Sequence, residues 1–287
     1  MDYIVGKNEK DVRLDKFLRK KYEKMALTEI FKAIRTGKVK VNGKKSKENY
    51  RLQEGDILKI FLESGLEREE NFIILSVKDK EIITDGLIYD KDGIVIFNKP
   101  VDLVMHKGSG HEYGLSEMLK SYYKENDFSF ANRIDKNTSG LIVGGKNLPV
   151  LRELSEILRE RDSEKRYYIL VEGIIKQKNF TLKSYLKKVE DGVIELQKYE
   201  DGAKESISYF KVLRYGKNCT LLEGTLETGR THQLRVQLAG LGHPILGDGR
   251  YGKGREKRMF LHSYYLKIDK LGIEISLPLP EEFERKL

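Results

Sequence analysis

The most informative stretch of the chain is a polar turn followed at once by an apolar strand. It reads Asn132-Arg133-Ile134-Asp135-Lys136-Asn137-Thr138-Ser139-Gly140, and Leu141-Ile142-Val143 comes next. Asn, Asp, Thr, Ser and Gly are turn-forming residues, so an ordinary loop is one interpretation. Loops positioned by a sheet often carry functional side chains, however, and Arg133 stands two residues from Asp135. A long cation beside an acid suits a site that handles both a polyanion and a nucleophile, so Asp135 is a candidate catalytic residue.

On both sides of this stretch, strand patterns outnumber helix patterns. Strand candidates are residues 87–89, 94–97, 141–144, 166–171, 205–213, 219–226, 259–268 and 272–277. Helix candidates are residues 115–123, 147–161 and 231–240. Because strands and helices do not alternate regularly, we expect an α+β fold around a central, mostly antiparallel sheet.

The N-terminal 62 residues predict a separate small module. Residues 10–36 have the apolar spacing of two short helices, and Gly37 is a typical residue at a helix end. Alternating residues before Asn42-Gly43 predict a hairpin, and a further strand is expected at 57–61. We expect an N-terminal domain at 1–62, an acidic and irregular linker at 63–85, and a second domain at 86–287.

Charge is concentrated in the N-terminal module. The whole chain has a formal charge of +9, and residues 1–62 contain 17 basic and 9 acidic residues, a net of +8. Residues 63–90 contain 3 basic and 8 acidic residues, a net of −5. A strongly basic module on a mildly basic body favours a nucleic-acid partner, although a solvated surface is the alternative interpretation.

Composition and motif searches exclude several other classes. Hydrophobic residues make up 39% of the chain, so it can form a core, and no apolar run reaches the length of a membrane span. The single Cys219 and an N-terminus unlike a secretory signal predict a cytoplasmic protein. The five histidines are scattered, so no metal is expected. The sequence Gly247-Asp248-Gly249-Arg250-Tyr251-Gly252 fits G-x-G-x-x-G but lacks the flanking strand and helix of a dinucleotide site, so we interpret it as a loop.

A second polar segment begins as a strand, turns at Gly229 and continues as a helix. It reads Leu226-Glu227-Thr228-Gly229-Arg230-Thr231-His232-Gln233-Leu234-Arg235-Val236-Gln237-Leu238. Arg230 would stand at the turn, where it is a candidate site residue. Arg235, about one and a half helical turns later, is interpreted as part of a basic polar helix face and is left outside the candidate site.

These segments resemble the signatures of RluA/RluC-type pseudouridine synthases. Residues 132–140 are similar to the H-R-L-D-x-x-T-S-G signature, and 228–236 to T-G-R-T-H-Q-[IL]-R-V. Lys165-Arg166-Tyr167 is similar to the K-x-Y strand of that family, and Asn98-Lys99-Pro100 to its opening segment. Residues 12–60 resemble the small S4-like RNA-binding domain. Asn132, Ile134 and Gln237 depart from the residues commonest in the family, which puts the exact substrate in doubt but not the reaction class.

The resemblance implies a pseudouridine synthase fold and assigns a role to each of four residues. Asp135 would be the catalytic carboxylate, and Arg133 would bind RNA by entering the stack where the uridine has been extruded. Tyr167 would stack on the extruded ring, although a packed strand tyrosine is the plainer interpretation. Arg230 would pair with Asp135 and keep its carboxylate ionised and oriented.

The implied activity is a cofactor-free isomerisation of uridine to pseudouridine, because the reaction needs no redox change or group donor. The expected partner is RNA, most of all 23S ribosomal RNA or its precursor, and no membrane partner is expected. We expect the protein to be a monomer. Two alternatives stay open: a non-catalytic RNA-binding or ribosome-assembly factor, and the same chemistry on transfer RNA.

Overall fold

Two amphipathic helices cover a small antiparallel sheet at the start of the chain. A computed structural model describes residues 2–62, 72–108, 110–190 and 192–287. The first helices and strands are α1 (Leu14–Lys21), α2 (Leu27–Thr36), β1 (Asp2–Ile4), β2 (Val39–Val41), β3 (Lys44–Lys45) and β4 (Ile57–Ile60). The strand order is β1-β4-β2-β3, and each pair is antiparallel.

The apolar stripes of the two helices form the core of this unit with the sheet. Leu14 and Leu18 of α1 and Ile30 of α2 are fully buried with Leu58 of β4. The predicted hairpin is confirmed: Asn42 and Gly43 have φ of 50° and 78°, the positive values that a type I′ turn requires. The unit therefore has its own hydrophobic core.

A large mixed sheet forms the centre of the rest of the chain. Its strands are β5 (Leu87–Lys91), β6 (Ile94–Lys99), β7 (Ser129–Phe130), β8 (Ser139–Gly145), β9 (Glu164–Glu172), β10 (Asn179–Val189), β11 (Gly192–Leu196), β12 (Lys204–Tyr215), β13 (Cys219–Leu226), β14 (Leu261–Ile268) and β15 (Ile273–Ser276). The strand order is β11-β10-β12-β13-β9-β14-β8-β6-β5, with β15 beside β14 and β7 beside β8. Within the described residues the one parallel pair is β8 with β14, so the expected mostly antiparallel α+β architecture is confirmed.

Helices cover both faces of this sheet. They are α3 (Val77–Gly86), α4 (Leu115–Tyr123), α5 (Leu148–Glu160), α6 (Gln233–Gly240) and α7 (Glu281–Glu284). On β6, Val95 and Phe97 belong to the core under α3 and α4, whereas Ile94 and Ile96 belong to the core under α5. Burial on two faces explains why this strand is a continuous apolar run instead of an alternating one. None of the helices in the described ranges is long and apolar enough to cross a bilayer.

Two features of the sequence interpretation differ from the structure. Residues 77–85, expected to belong to an irregular linker, form α3 together with Gly86; the preceding Ser76 side chain caps its first turn, and its Ile83 is fully buried. Residues 63–71, in the first part of that expected linker, lie outside the described residues. Strands β10 and β11 were not predicted. In β10, lysines and a serine interrupt the apolar alternation of half-exposed residues, and β11 has only five residues.

Candidate active site

The loop that carries Asp135 is fixed to the sheet at both ends. It lies between β7 and β8, where the Asn132 side chain accepts a hydrogen bond from the Val143 N–H at 2.8 Å. Ile134 is buried in the core under α3 and α4. The Thr138 N–H donates to the Asp135 carbonyl at 3.1 Å, which closes the turn. The polar residues of this segment therefore stabilise a turn, as expected for their types, and the turn positions the Asp135 side chain.

Lys99 ties the same loop to the end of β6. Its side chain is fully buried, and its ammonium donates to the carbonyls of Pro100 at 2.8 Å, Leu103 at 2.9 Å and Lys136 at 3.0 Å. Three acceptors match the three N–H groups of a protonated lysine. Burial lowers the pKa of Lys99 to about 7, against the opposing effect of Asp102 and Asp135. Lys99 therefore fixes the position of this loop, because its contact with the Lys136 carbonyl lies one residue from Asp135, the candidate catalytic acid.

Gly140 allows β8 to approach β14 closely. Its φ is 111°, and a Cβ at this position would lie 2.1 Å from the Ser263 carbonyl oxygen. Only glycine fits both the backbone conformation and this distance. The final glycine of the 132–140 segment is therefore explained by the parallel pairing that places the loop beside β9 and β14.

Asp135 faces a guanidinium and an imidazole from α6 and its first turn. Arg235 Nη1 donates to Asp135 Oδ2 at 2.9 Å, and His232 Nε2 lies 3.5 Å from the same oxygen. The Asp135 side chain retains 28% of its exposure, whereas that of Arg235 retains 10%. The carboxylate is therefore held by buried groups on one side and open to the adjoining cavity on the other.

Asp248 anchors Arg235 from behind. The Asp248 side chain is fully buried and accepts two hydrogen bonds from Arg235, from Nε at 2.7 Å and from Nη2 at 2.9 Å. The backbone N–H groups of Arg250 and Tyr251 also donate to it. Burial alone would raise the pKa of Asp248, but Arg235 and these N–H groups outweigh burial and lower it. Arg235 therefore bridges two carboxylates, and its rigid fork fixes the distance between them.

His232 is oriented by Tyr251. His232 Nδ1 lies 2.8 Å from the Tyr251 hydroxyl, which also accepts a hydrogen bond from the Val193 N–H. Burial lowers the pKa of His232, and Arg235 and Arg250 act in the same direction against Asp135 and Asp248. The ring is therefore neutral at pH 7. When its proton is on Nε2, which faces Asp135, Nδ1 accepts a hydrogen bond from the Tyr251 hydroxyl. The His232 backbone has φ of 55°, a left-handed conformation that turns the chain into α6.

Tyr167 lies beside Asp135 on β9 and is nearly fully buried. Burial raises the pKa of Tyr167 to about 12, the nearby Asp135 charge acts in the same direction, and Ser263 opposes it. The phenol is therefore protonated at neutral pH, and its ring forms one wall of the site.

A cavity of about 590 Å³ joins these groups. All four residues predicted from the sequence line it: Asp135, Tyr167, Arg133 and Arg230. Arg133 and Arg230 are exposed at its rim, whereas Asp135 and Tyr167 lie inside. The structure therefore brings the four candidates together, although their catalytic and binding roles stay predictions. Among the described residues no group of three or more His, Cys, Asp or Glu side chains could hold a metal ion.

The predicted ion pair between Arg230 and Asp135 is wrong. Arg230 Nε donates to the Glu205 carbonyl at 3.1 Å, and the cation that contacts Asp135 is Arg235. Arg230 precedes α6 and stands at its exposed start, whereas Arg235 lies within the helix and points inward. Arg235 was left outside the candidate site because its helix was interpreted as having a solvated polar face.

The apolar spacing of α6 indicates that its polar residues are buried, although it does not identify their partners. In α6 the apolar residues Leu234, Val236 and Leu238 alternate with polar ones, and in a helix this spacing distributes them around the axis. Such a helix has no solvated face, so its polar residues are buried and must be paired. The structure buries all six residues from 233 to 238. Asp248 was missed because it lies in the glycine-rich segment that was interpreted as a plain loop.

Comparison with known proteins identifies the family of the chain. Residues 93–240 match the RNA pseudouridylate synthase family, and residues 12–58 match the S4 domain. The chain is 33% identical over 296 residues to ribosomal large subunit pseudouridine synthase C of Escherichia coli (strain K12), covering 96% of this chain and 92% of that protein. It is 32% identical over 301 residues to the protein of the same name from Salmonella typhi, covering 99% and 94%.

Two solved structures of human proteins also resemble this chain. Human RNA pseudouridylate synthase domain containing 1 superposes with a TM-score of 0.59 at 26% identity, over 67% of this chain and 82% of that one. Human RNA pseudouridylate synthase domain containing 4 has a TM-score of 0.62 at 23% identity, over 74% and 94%, and supports the fold alone. The chain therefore belongs to the RNA pseudouridine synthase family. It is an isomerase of the RluC type, and its S4 domain binds RNA.

Proposed function

We propose that the protein isomerises specific uridines of large-subunit (23S) ribosomal RNA to pseudouridine, with Asp135 as the catalytic carboxylate. The observation that carries this proposal is the Asp135 side chain, fixed by Arg235 at 2.9 Å and open to a cavity walled by Tyr167. The ribosomal substrate is supported by the names of the bacterial relatives and by the basic N-terminal domain. We place the reaction in the cytoplasm, as the sequence predicts.

The reaction breaks the bond between uracil N1 and ribose C1′ and forms a bond between C5 and C1′. The proton on C5 is lost and N1 gains one, so product and substrate are isomers and no cofactor or oxidant is consumed. Asp135 assists detachment and rejoining of the base from its oriented position beside C1′. Tyr251 orients His232 and Asp248 fixes Arg235, so Asp135 is the carboxylate of this cluster that faces the cavity.

The target base must leave its helix to reach a cavity of this size, at a cost of a few kcal/mol. Arg133, exposed at the rim, is placed to occupy the gap that the base leaves in the stack. Inside, the Tyr167 ring offers a flat surface on which uracil stacks, and base stacking on an aromatic is worth about 1–3 kcal/mol. Arg230, also at the rim, has one side-chain contact to a carbonyl and is available to bind the RNA backbone.

Release of tritium from carbon 5 of uracil tests the proposal. Transcripts of 23S ribosomal RNA, 16S ribosomal RNA and transfer RNA, each tritiated at that carbon, are incubated with the wild-type protein and with Asp135→Asn. We expect release from 23S RNA and none from Asp135→Asn, which should still bind the RNA. Asp201→Asn, at an exposed turn residue, is the matched control and should react like the wild type.

The alternatives predict other results. Release from transfer RNA alone would assign the same chemistry to a different substrate. No release from any of the three transcripts, with RNA binding intact, would support a non-catalytic RNA-binding or assembly factor.

A further inference from the structure

One lysine lines the cavity and has no role in the proposed reaction. Lys165 lies two residues before Tyr167 on β9 and lines the same cavity. Alternate residues of a strand point to the same face, so the two side chains enter the cavity side by side, about 6–7 Å apart along the strand. That spacing is comparable to the separation between a nucleotide's base and its own phosphate.

Lys165 differs from the other cations around the cavity because it is partly buried and, among the described residues, has no acid partner. Arg235 is paired with Asp135 and Asp248, Arg161 with Glu227, and Arg159 with Glu156. Arg133 and Arg230 are exposed at the rim. Lys165 is half-buried, and among the described residues no carboxylate forms an ion pair with it.

Two acids, one adjacent to Lys165 in the sequence and one lining the cavity, are paired with arginines. Glu164 binds Arg166 at 2.7 Å, and Glu227 binds Arg161 at 3.6 Å. Burial lowers the pKa of the Lys165 ammonium, and no neighbouring charge compensates. A desolvated cation without a partner costs folding free energy, which an anionic ligand in the cavity would recover.

We propose that Lys165 is a binding residue that holds a backbone phosphate of the extruded uridine while Tyr167 stacks on its base. This inference rests on the proposed function, because the ligand that brings an anion into this cavity is an RNA strand. Phosphates are the charged groups of RNA, whereas the uracil carbonyls are neutral acceptors that would not require a cation. Lys165 thereby adds binding energy at the phosphate, away from the bonds that the reaction breaks and forms.

Titration with small nucleotides tests the assignment without a known RNA target. Binding of uridine and of uridine 3′,5′-bisphosphate is followed by NMR with the wild-type protein, Lys165→Met, Lys165→Arg and Lys176→Met. Lys176 is an exposed lysine beyond the opposite end of β9 and serves as the matched control. The wild type should bind the bisphosphate ~10–100-fold more tightly than uridine, the range that one charge-assisted hydrogen bond provides.

Lys165→Met should lose most of that preference, whereas Lys165→Arg and Lys176→Met should keep it. Lys165→Met should also unfold at an equal or higher temperature than the wild type, because an unpaired desolvated charge is removed. A purely structural lysine would instead give a less stable variant with unchanged nucleotide preference. Equal preference for the bisphosphate in Lys165→Met and wild type, or no preference in the wild type, overturns the inference.

Kinetics on RNA separate this inference from the proposed function. On an RNA that the wild type converts, Lys165→Met should raise KM and leave kcat nearly unchanged, the pattern of a lost binding contact. Absence of tritium release by the wild type refutes the proposed function, while the nucleotide titration still decides whether Lys165 holds a phosphate. Normal release together with an unaltered titration in Lys165→Met refutes only the role of Lys165.

Discussion

Arg235 bridges two carboxylates, Asp248 and Asp135, and replacing each of them with asparagine should have a different effect on the protein. Asp248 is fully buried and accepts four hydrogen bonds, two of them from Arg235. Asp135 keeps 28% of its side-chain exposure and accepts a single hydrogen bond from Arg235. Asp248→Asn should therefore cost stability, whereas Asp135→Asn should cost activity and little stability.

The hydrogen bonds at Asp248 determine how much stability Asp248→Asn should lose. Three donors share its Oδ1 and one, Arg235 Nε at 2.7 Å, uses Oδ2. Asparagine at position 248 keeps most of these contacts when its side-chain oxygen takes the place of Oδ1. Its NH2 group then takes the place of Oδ2 and faces the Arg235 Nε–H, so that two donors meet. Breaking one partner of a buried ion pair costs ~3–5 kcal/mol. Removing the half-exposed partner at Asp135 should cost less than about 1 kcal/mol.

Urea unfolding followed by circular dichroism measures both variants against the wild type, and tritium release measures their activity. At pH 7 Asp248→Asn should lower the free energy of unfolding by ~3–5 kcal/mol, and Asp135→Asn by less than about 1 kcal/mol. Asp135→Asn should abolish release. Equal destabilisation by the two substitutions, or a stable Asp248→Asn protein, would refute the assignment of Asp248 as the anchor.

The pH dependence gives a second measure of the same pair. Because the pKa of Asp248 is lowered on folding, its stabilisation is present above the ordinary aspartate pKa of about 3.9 and is lost as pH falls through the lowered value. The wild type should therefore lose stability in acid more steeply than Asp248→Asn. Parallel profiles for the two proteins below about pH 4 would contradict this expectation.

Three further predictions concern the elements that position the site and bind RNA. Lys99→Met should lower the free energy of unfolding by ~1–3 kcal/mol and slow tritium release, because three buried carbonyls lose their donor; unchanged urea unfolding would contradict this. Gly140→Ala should lower the free energy of unfolding by roughly 2–6 kcal/mol, because of the φ of 111° and the clash with Ser263. The control Gly249→Ala has open space around it and should change the free energy of unfolding by less than about 0.5 kcal/mol. Removal of residues 1–62 should weaken RNA binding and flatten its salt dependence, because that segment has a net charge of +8; an equal slope in filter-binding assays would place the RNA anchor elsewhere.

Much of the fold was predictable because short apolar runs bounded by turn residues mark strands. The runs at 94–97 and 141–143 predicted β6 and β8, and the Asn42-Gly43 turn predicted the N-terminal hairpin. Alternation fails as a signal where a strand is half-exposed and rich in lysine, which is why β10 was missed. The helix at 77–86 was missed because its stripe consists of few apolar residues, and burial of Ile83 under the sheet decides its conformation.

The loop of Asp135 was predictable from its residue types, but its electrostatic partner was not. Arg230 and Arg235 are both arginines in one segment, and choosing between them requires knowing which lies inside α6. That choice depends on Asp248, 13 residues further on, which draws Arg235 inward through two hydrogen bonds. Such a long-range pair leaves no periodic pattern in a single sequence.

The claim that Arg235, and not Arg230, orients the catalytic carboxylate has a direct test. Single-turnover tritium release at saturating RNA is measured for Arg235→Lys and Arg230→Lys. A lysine cannot bridge two carboxylates as the guanidinium fork does, so Arg235→Lys should slow the reaction by ~100-fold or more, equivalent to about 2.7 kcal/mol. Arg230→Lys should react within about tenfold of the wild type, because its contact is a carbonyl at the rim. The reverse order of the two rates would contradict this arrangement of the site.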